Sequence, residues 1–258
     1  MSDDLIQADR DEHILTITLN RPDKKNALKI SMYQRLLELM DDASEDDGIR
    51  VVVIKGAGGN LTSGNDLADF QEVIEEENEE ALAAYHFVKE LALFDKLLVT
   101  QVEGYAVGVG ATMLLHSDYV TAEEGSQIRF PFVDLGVVPE AGSSLLLPMM
   151  CGYQKAAEII FTADTISPEK AYEVGFVNEV VPPGQLEQST VEISERLAKK
   201  PPGSVQESKS LLKENYREDL IETIDREMEL FHERLFSEEA MEAISAFIED
   251  REPDFSGT

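Results

Sequence analysis

Two glycine-containing loops carry the residues of this chain best suited to chemistry. The first is Gly56-Ala57-Gly58-Gly59-Asn60-Leu61-Thr62-Ser63-Gly64-Asn65-Asp66-Leu67, and the second is Val102-Glu103-Gly104-Tyr105-Ala106-Val107-Gly108-Val109-Gly110-Ala111-Thr112. Each follows a short apolar strand-like run and precedes a helical pattern. Glycine lets the backbone approach a ligand closely and adopt dihedrals that other residues resist. A helix start offers N–H groups with no intrahelical partner, at the positive end of the helix dipole. Two such termini meeting at one point would make an oxyanion hole, a pair of fixed donors aimed at an oxygen that becomes negative during reaction. Neither loop is specific alone. GAGGN is followed by no Lys-Ser/Thr pair, and GVG lacks the spacing of a dinucleotide-binding turn. Tight turns with close packing would explain either loop equally well.

Charge narrows the function classes. The 258 residues include 22 Lys and Arg against 52 Asp and Glu, a net charge of −30. Such a surface repels phosphate backbones, so nucleic acid is not an expected partner. It also repels any polyanionic small molecule unless a local basic patch overrides the global field. Arg21, Lys24, Lys25 and Lys29 form the densest basic cluster. They read either as that patch or as scattered solubilising cations. The four histidines, His13, His86, His116 and His232, have no metal-ligand spacing. His116-Ser117-Asp118 carries triad letters, but adjacent residues cannot form a triad through their own side chains. The single cysteine, Cys151, excludes an internal disulfide and reads as a structural thiol. Asp66 reads as an N-cap of the helix after the first loop.

The elements that must position these loops are legible as alternating strands and helices. Residues 13–19 (HILTITL) alternate as a strand, and 51–54 (VVVI) form a β-branched run typical of a buried strand. Further strands are expected at 98–102, 119–122, 128–130 and 177–181. Helical spacing covers 28–43, 66–95 with its acidic stretch EVIEEENEE, the segment after the second loop through Leu115, and 142–162. Ser167 and Pro168 predict the cap and first turn of another helix. Beyond about residue 184 only helices are expected, at 184–199, 203–214, 217–236 and 237–250. The expected layout is an α/β core over 1–183 with a helical region over 184–258. No apolar run reaches the roughly 18 residues of a membrane helix. The acidic N-terminus lacks the features of a signal peptide, and the terminal FSGT is not a receptor-read address. The expected location is the cytoplasm.

Four segments in order, LNRPDKKNAL (19–28), GAGGNLTSGNDL (56–67), VEGYAVGVGATMLLHSD (102–118) and PFVDLGVVPEAGSSLLLP (131–148), together resemble the signature of the crotonase (enoyl-CoA hydratase/isomerase) superfamily. The terminal EAISAFIEDREPDFSG resembles the family's last helix and tail, so the likeness spans nearly the whole chain. It implies a spiral of ββα units, a C-terminal helical region used for trimerisation, and a homotrimer or hexamer. It implies an acyl-coenzyme A substrate, with no resident cofactor and no metal.

Residue by residue, the resemblance places the oxyanion hole at the main-chain N–H groups of Asn65 and Val109. Valine stands at 109 where the family usually has glycine, but its N–H is the relevant group. The positions of the two hydratase glutamates are occupied by Thr112 and Phe132, which argues against water addition by the usual route. Glu140, in Val138-Pro139-Glu140-Ala141-Gly142, matches the single catalytic glutamate of the Δ3,Δ2-enoyl-CoA isomerase subgroup. Asp134 is the other carboxylate of that segment. Arg21, Lys24 and Lys25 would face the coenzyme phosphates. Ala27, Leu28, Ser63, Gly64, Asp66, Leu67 and Gly108 would line the rest of the acyl-CoA. The implied activity is an enoyl-CoA isomerase of fatty-acid degradation. The alternatives are a hydratase in which Glu140 alone activates water, and a non-catalytic acyl-CoA-binding protein.

Overall fold

Burial along strand β2 (Ile14–Leu19) alternates, with Leu15, Ile17 and Leu19 inside and their neighbours half-buried. That is the period of a strand with one face on the core. Strand β3 (Val51–Gly56) is buried from Val51 through Ile54. Val52 and Ile54 join the main core, while Val51 and Val53 pack with Val99, Ile193 and Ala198 on the other face. A strand covered on both faces reads as an unbroken apolar run, as VVVI does.

The computed structural model describes residues 5–66, 82–249 and 251–257. Leu67 and most of the acidic stretch of the expected helix 66–95 lie outside them. The other strands are β1 (Ile6–Asp11), β4 (Leu97–Val102), β5 (Tyr105–Val107), β6 (Tyr119–Glu123), β7 (Gln127–Arg129) and β8 (Glu179–Val181). The helices are α1 (Ile30–Glu45), α2 (Ala83–Leu93), α3 (Val109–Thr112), α4 (Ser143–Cys151), α5 (Tyr153–Thr162), α6 (Pro168–Val174), α7 (Leu186–Ala198), α8 (Pro202–Lys213), α9 (Arg217–Leu235) and α10 (Glu238–Ile248). One sheet runs β1-β2-β3-β4-β6-β8, and β5 pairs with β7 in a second, smaller sheet. Only β1–β2 is antiparallel among these pairings. Parallel neighbours require crossovers, and α1 supplies the one from β2 to β3.

The mixed α/β layout and the C-terminal helices are those expected. Three details differ. β1 was not anticipated because Gln7 to Asp11 are all exposed; pairing with β2, from Ile6↔Leu19 to Asp11↔Ile14, makes it a strand. β5 hides inside the second glycine loop. The helix expected over 142–162 is two helices, broken at Gly152, whose φ of 76° and ψ of 157° are not helical. Ser167 caps α6 as expected, its Oγ accepting the Lys170 N–H at 3.2 Å.

The C-terminal helices bury apolar surface against the rest of the chain. α7 covers the sheet through Ile193 and Ala198, while Leu220, Ile224 and Leu235 of α9 enter the main core. None of the described helices is long and apolar enough to cross a membrane.

Candidate active site

The first glycine loop begins where β3 ends, and the second where β4 ends, so both lie at the carboxyl ends of parallel strands. Ligands of open α/β sheets bind at that edge. The first loop continues as a narrow extended segment. Thr62 bridges Ala106 of β5, with Thr62 N–H to Tyr105 O at 2.9 Å and Val107 N–H to Thr62 O at 3.1 Å. On its other side Leu28 bridges Asn65, through Leu28 N–H to Gly64 O and Asp66 N–H to Leu28 O, both 2.8 Å.

This register decides where the Asn65 N–H points. Leu28 bonds to the groups flanking Asn65, so the N–H of Asn65 itself faces the opposite edge. There β5 ends at Val107 and the chain turns into α3. Val109 is the first residue of α3, so its N–H is one of the orphan donors of a helix start. Among the described residues, neither the Asn65 nor the Val109 N–H has a hydrogen-bond acceptor. The loops touch through the preceding glycines. A Cβ on Gly64 (φ 98°) would sit 3.0 Å from Val107 O, and one on Gly108 (φ 58°) would sit 4.0 Å from Gly64 Cα. Both positive φ values and the close approach explain glycine at these positions.

Glu140 joins the site through α3. Thr112, fully buried, lies with its hydroxyl 2.8 Å from Glu140 Oε1 and 3.3 Å from Val109 O. One hydroxyl hydrogen cannot serve both acceptors well, and the shorter contact to the carboxyl is the stronger. The same four-residue helix therefore begins with the Val109 N–H and ends on the partner of Glu140. Burial raises the Glu140 carboxyl to about 7; the Thr112 hydroxyl pulls it down and the Glu227 carboxyl pushes it further up. A carboxyl in this range can both take and return a proton near neutrality. Opposite it, the Tyr33 hydroxyl of α1 donates to Asn65 Oδ1. Burial, then the charge of Glu140, keeps that phenol protonated well above its usual range.

The turn after Glu140 is held from three sides. His116 Nε2 lies 2.7 Å from Ala141 O. A carbonyl only accepts, so Nε2 carries the hydrogen, and burial lowers this histidine to about 4, leaving it neutral. Ser143 Oγ donates to Glu140 O at 2.6 Å. Glu227 of α9 accepts from the N–H groups of Gly142 at 2.6 Å and Ser144 at 2.9 Å.

The expected coenzyme-binding residues divide in two. Lys24 and Lys25 are exposed on a loop that joins the first glycine loop, with Ser63 N–H to Lys25 O at 2.9 Å. Lys25 Nζ sits 3.9 Å over the Tyr105 ring. Arg21 is held within the loop: its guanidinium pairs with Asp66 at 2.5 Å and bonds Ala27 O at 3.1 Å. Asp66 thus has an ion pair, and the helix it is expected to cap begins outside the described residues. Ala27 is half-buried and Leu28 buried, both beside the loops. Leu67 lies outside the described residues.

The competing groups go to other work. Phe132 is buried beside Phe130. Asp134 pairs with Arg129 at 2.5 Å. The Cys151 thiol donates to Leu147 O at 3.1 Å, and burial raises its pKa. His116, Ser117 and Asp118 turn to three different partners, Ala141, Thr100 and Lys209.

Sequence reasoning missed Tyr33, Asn26, Glu227 and the role of Thr112. Asn26, fully buried, ties the basic loop to the first glycine loop by donating to Ala57 O at 2.9 Å and Asn60 O at 2.6 Å. Glu227 left a signal: it lies three residues beyond Ile224 and seven beyond Leu220, so a carboxylate sits on the apolar stripe of its helix.

Comparison with known proteins finds similarity over nearly the whole chain. The profile described as enoyl-CoA hydratase/isomerase matches residues 9–258. The chain is 37% identical over 239 residues to enoyl-CoA delta isomerase 2 of Rattus norvegicus, covering 91% of this chain and 61% of that protein. The chain thus spans about three-fifths of the rat protein's length. It is 30% identical to 2,3-dehydroadipyl-CoA hydratase of Escherichia coli K12, covering 96% of this chain and 97% of the other. A crystal structure of an enoyl-CoA hydratase/isomerase from Pseudoalteromonas atlantica T6c superposes with a TM-score of 0.91 at 34% identity, covering 98% of this chain and 100% of that one.

Proposed function

The chain belongs to the enoyl-CoA hydratase/isomerase family, of the crotonase superfamily, and from that premise we propose that it is an enoyl-CoA isomerase converting 3-enoyl-CoA to 2-enoyl-CoA. The thioester oxygen lies between the Asn65 and Val109 N–H groups. Glu140 removes a proton from C2, and the electron pair enters the thioester as a dienolate. Two preorganised donors hold that negative oxygen more tightly than the neutral carbonyl, each worth roughly 3–4 kcal/mol at the transition state. Glu140 returns the proton to C4, and the double bond moves from C3–C4 to C2–C3. No atom is gained or lost, and no cofactor is called for.

The observation that carries this reading is the pairing of Glu140 with Thr112 at 2.8 Å, on the helix whose first N–H is the Val109 donor. It sets one carboxyl beside the hole, where the resemblance gives hydratases two. Lys24 and Lys25 face the coenzyme phosphates; their loop, with Arg21 braced by Asp66, carries Ala27 and Leu28 along the coenzyme. Ser63, Gly64 and Gly108 line the acyl-CoA between them. Chains of this fold associate as homotrimers or dimers of trimers on this reading. Exposed Tyr153 and Phe161 of α5, 70% and 67% accessible, offer apolar surface for that contact.

The hydratase named among the relatives gives a second reading, in which Glu140 alone activates water. Parallel assays separate the two. With 3-enoyl-CoA, conjugated product should accumulate; with 2-enoyl-CoA in water, little 3-hydroxyacyl-CoA should form. Hydration faster than isomerisation, and surviving Glu140→Gln, overturns the isomerase reading. Tight acyl-CoA binding without turnover of either substrate would instead favour a non-catalytic binding protein.

A further inference from the structure

We infer that Glu227, 87 residues beyond the base and on helix α9, is the positioning residue of the Glu140 turn and a neighbouring charge that opposes ionisation of Glu140. The inference rests on Glu140 being the proton acceptor, as proposed above.

The turn needs an external hold. Ala141 has a φ of 60° and Gly142 a φ of 71°, two consecutive left-handed residues, the first with a side chain that disfavours it. Gly142 is also the N-cap of α4 and has no side chain to satisfy the first N–H groups of that helix. Glu227 does this from outside, one oxygen on Gly142 N–H at 2.6 Å and the other on Ser144 N–H at 2.9 Å. Leu220 and Ile224, on the same face of α9, close over Gly142; a Cβ there would lie 2.3 Å from Leu220 Cδ1. Moving the Glu227 carboxylate therefore moves the backbone two residues from Glu140.

A neutral acceptor could also meet these N–H groups, so the charge asks for its own reason. Glu227 is only 5% exposed, and no lysine or arginine among the described residues pairs with it. Its hydrogen-bond donors are two backbone N–H groups at a helix start, whereas Glu140 has one hydroxyl. Two acids in one low-dielectric site with unequal donors separate in acidity: the better-solvated one ionises and its charge opposes ionisation of the other. Burial raises both carboxyls, and the Ser144 and Gly142 hydrogen bonds pull Glu227 back down. The other titratable groups facing the turn among the described residues are neutral. They are Tyr33 of α1, kept protonated by burial, and His116, kept unprotonated by burial and by the charges of Lys209 and Lys213 on α8. Lys89 of α2 is taken by Asp225, two residues before Glu227 on α9.

The test is a carbon-13 titration of glutamate-labelled protein, with the Glu140 signal identified as the one lost in Glu140→Gln. In the wild type its midpoint is expected at about 7. In Glu227→Gln it should fall by about one pH unit, the acid limb of kcat/KM should fall with it, and plateau kcat should drop about 10-fold or more with KM unchanged. Glu227→Asp keeps the charge but withdraws it by one methylene, so its midpoint should stay near the wild-type value while kcat falls. A folded Glu227→Gln protein with the wild-type midpoint overturns the inference. If Glu227→Gln fails to fold, wild-type kcat in Glu227→Asp overturns it. The titration reads Glu140 directly, so a protein that proves not to be an isomerase leaves this result standing or failing on its own.

Discussion

Glu140→Gln lowers kcat for conversion of 3-enoyl-CoA by about 10²- to 10⁴-fold, the usual worth of a positioned general acid–base. The amide keeps the shape of the side chain and can still meet Thr112, but it cannot accept the C2 proton. The loss should fall on kcat with acyl-CoA binding retained, because Glu140 has no part in holding the coenzyme on this account. The wild-type rate should rise with pH through about 7, where the buried carboxyl ionises, and the variant's residual rate should lack that step. The same substitution should stabilise the fold in alkaline solution. The folded carboxyl is raised from 4.5 to about 7, so above 7 the native state holds a buried anion that the unfolded chain would solvate. Removing that anion should gain about 2–3 kcal/mol there. The gain should shrink as pH falls through 7 and vanish below 4.5, where both states are protonated. Thermal melts of the two proteins at pH 5 and pH 8 read the sign: the variant's advantage must be larger at pH 8.

Val109→Pro should cost about 10²- to 10³-fold in kcat by deleting one donor of the oxyanion hole. A main-chain N–H cannot be removed by most substitutions, but this position allows it. Val109 is the first residue of α3, where proline's fixed φ suits a helix start and its missing N–H breaks no helical bond. Gly108 before it has ψ −120°, outside the helical region that a following proline disfavours. Val109→Ala retains the N–H and should lose far less, whatever it does to pocket shape. Equal losses in the two variants would mean that the Val109 side chain, and not its N–H, is what the reaction needs.

The strands that the sequence revealed are those whose burial is written in their own residues. β2 alternates and β3 is apolar from Val51 to Ile54, because one is covered on one face and the other on both. β1 was opaque because its exposed residues are ordered by a partner strand and by no apolar pattern of their own. The helix over 142–162 was misread as continuous because both halves are apolar at helical spacing, and a single glycine conformation at 152 divides them.

At the site, Asn65, Val109 and Glu140 are singled out by the ordered motifs around them. Periodicity alone left the glycine loops as possible tight turns. What holds the three residues in place was hidden, because each hold reaches far along the chain. Thr112 meets Glu140 across 28 positions, Tyr33 meets Asn65 across 32, and Glu227 meets Gly142 across 85. Spacing rules see one helix or strand at a time, and these contacts exist only once the sheet and α9 are assembled. Arg21 belongs with them: its pairing with Asp66, 45 positions away, could not be read from its charge.

The central claim is that one carboxyl, Glu140, carries a proton from C2 to C4 of a thioester held by the Asn65 and Val109 N–H groups. Its most direct test is a single-turnover conversion of 3-enoyl-CoA deuterated at C2, in ordinary water. A single shuttling carboxyl predicts deuterium at C4 of the 2-enoyl product. Product formed at the full rate with every C4 proton drawn from water would contradict it.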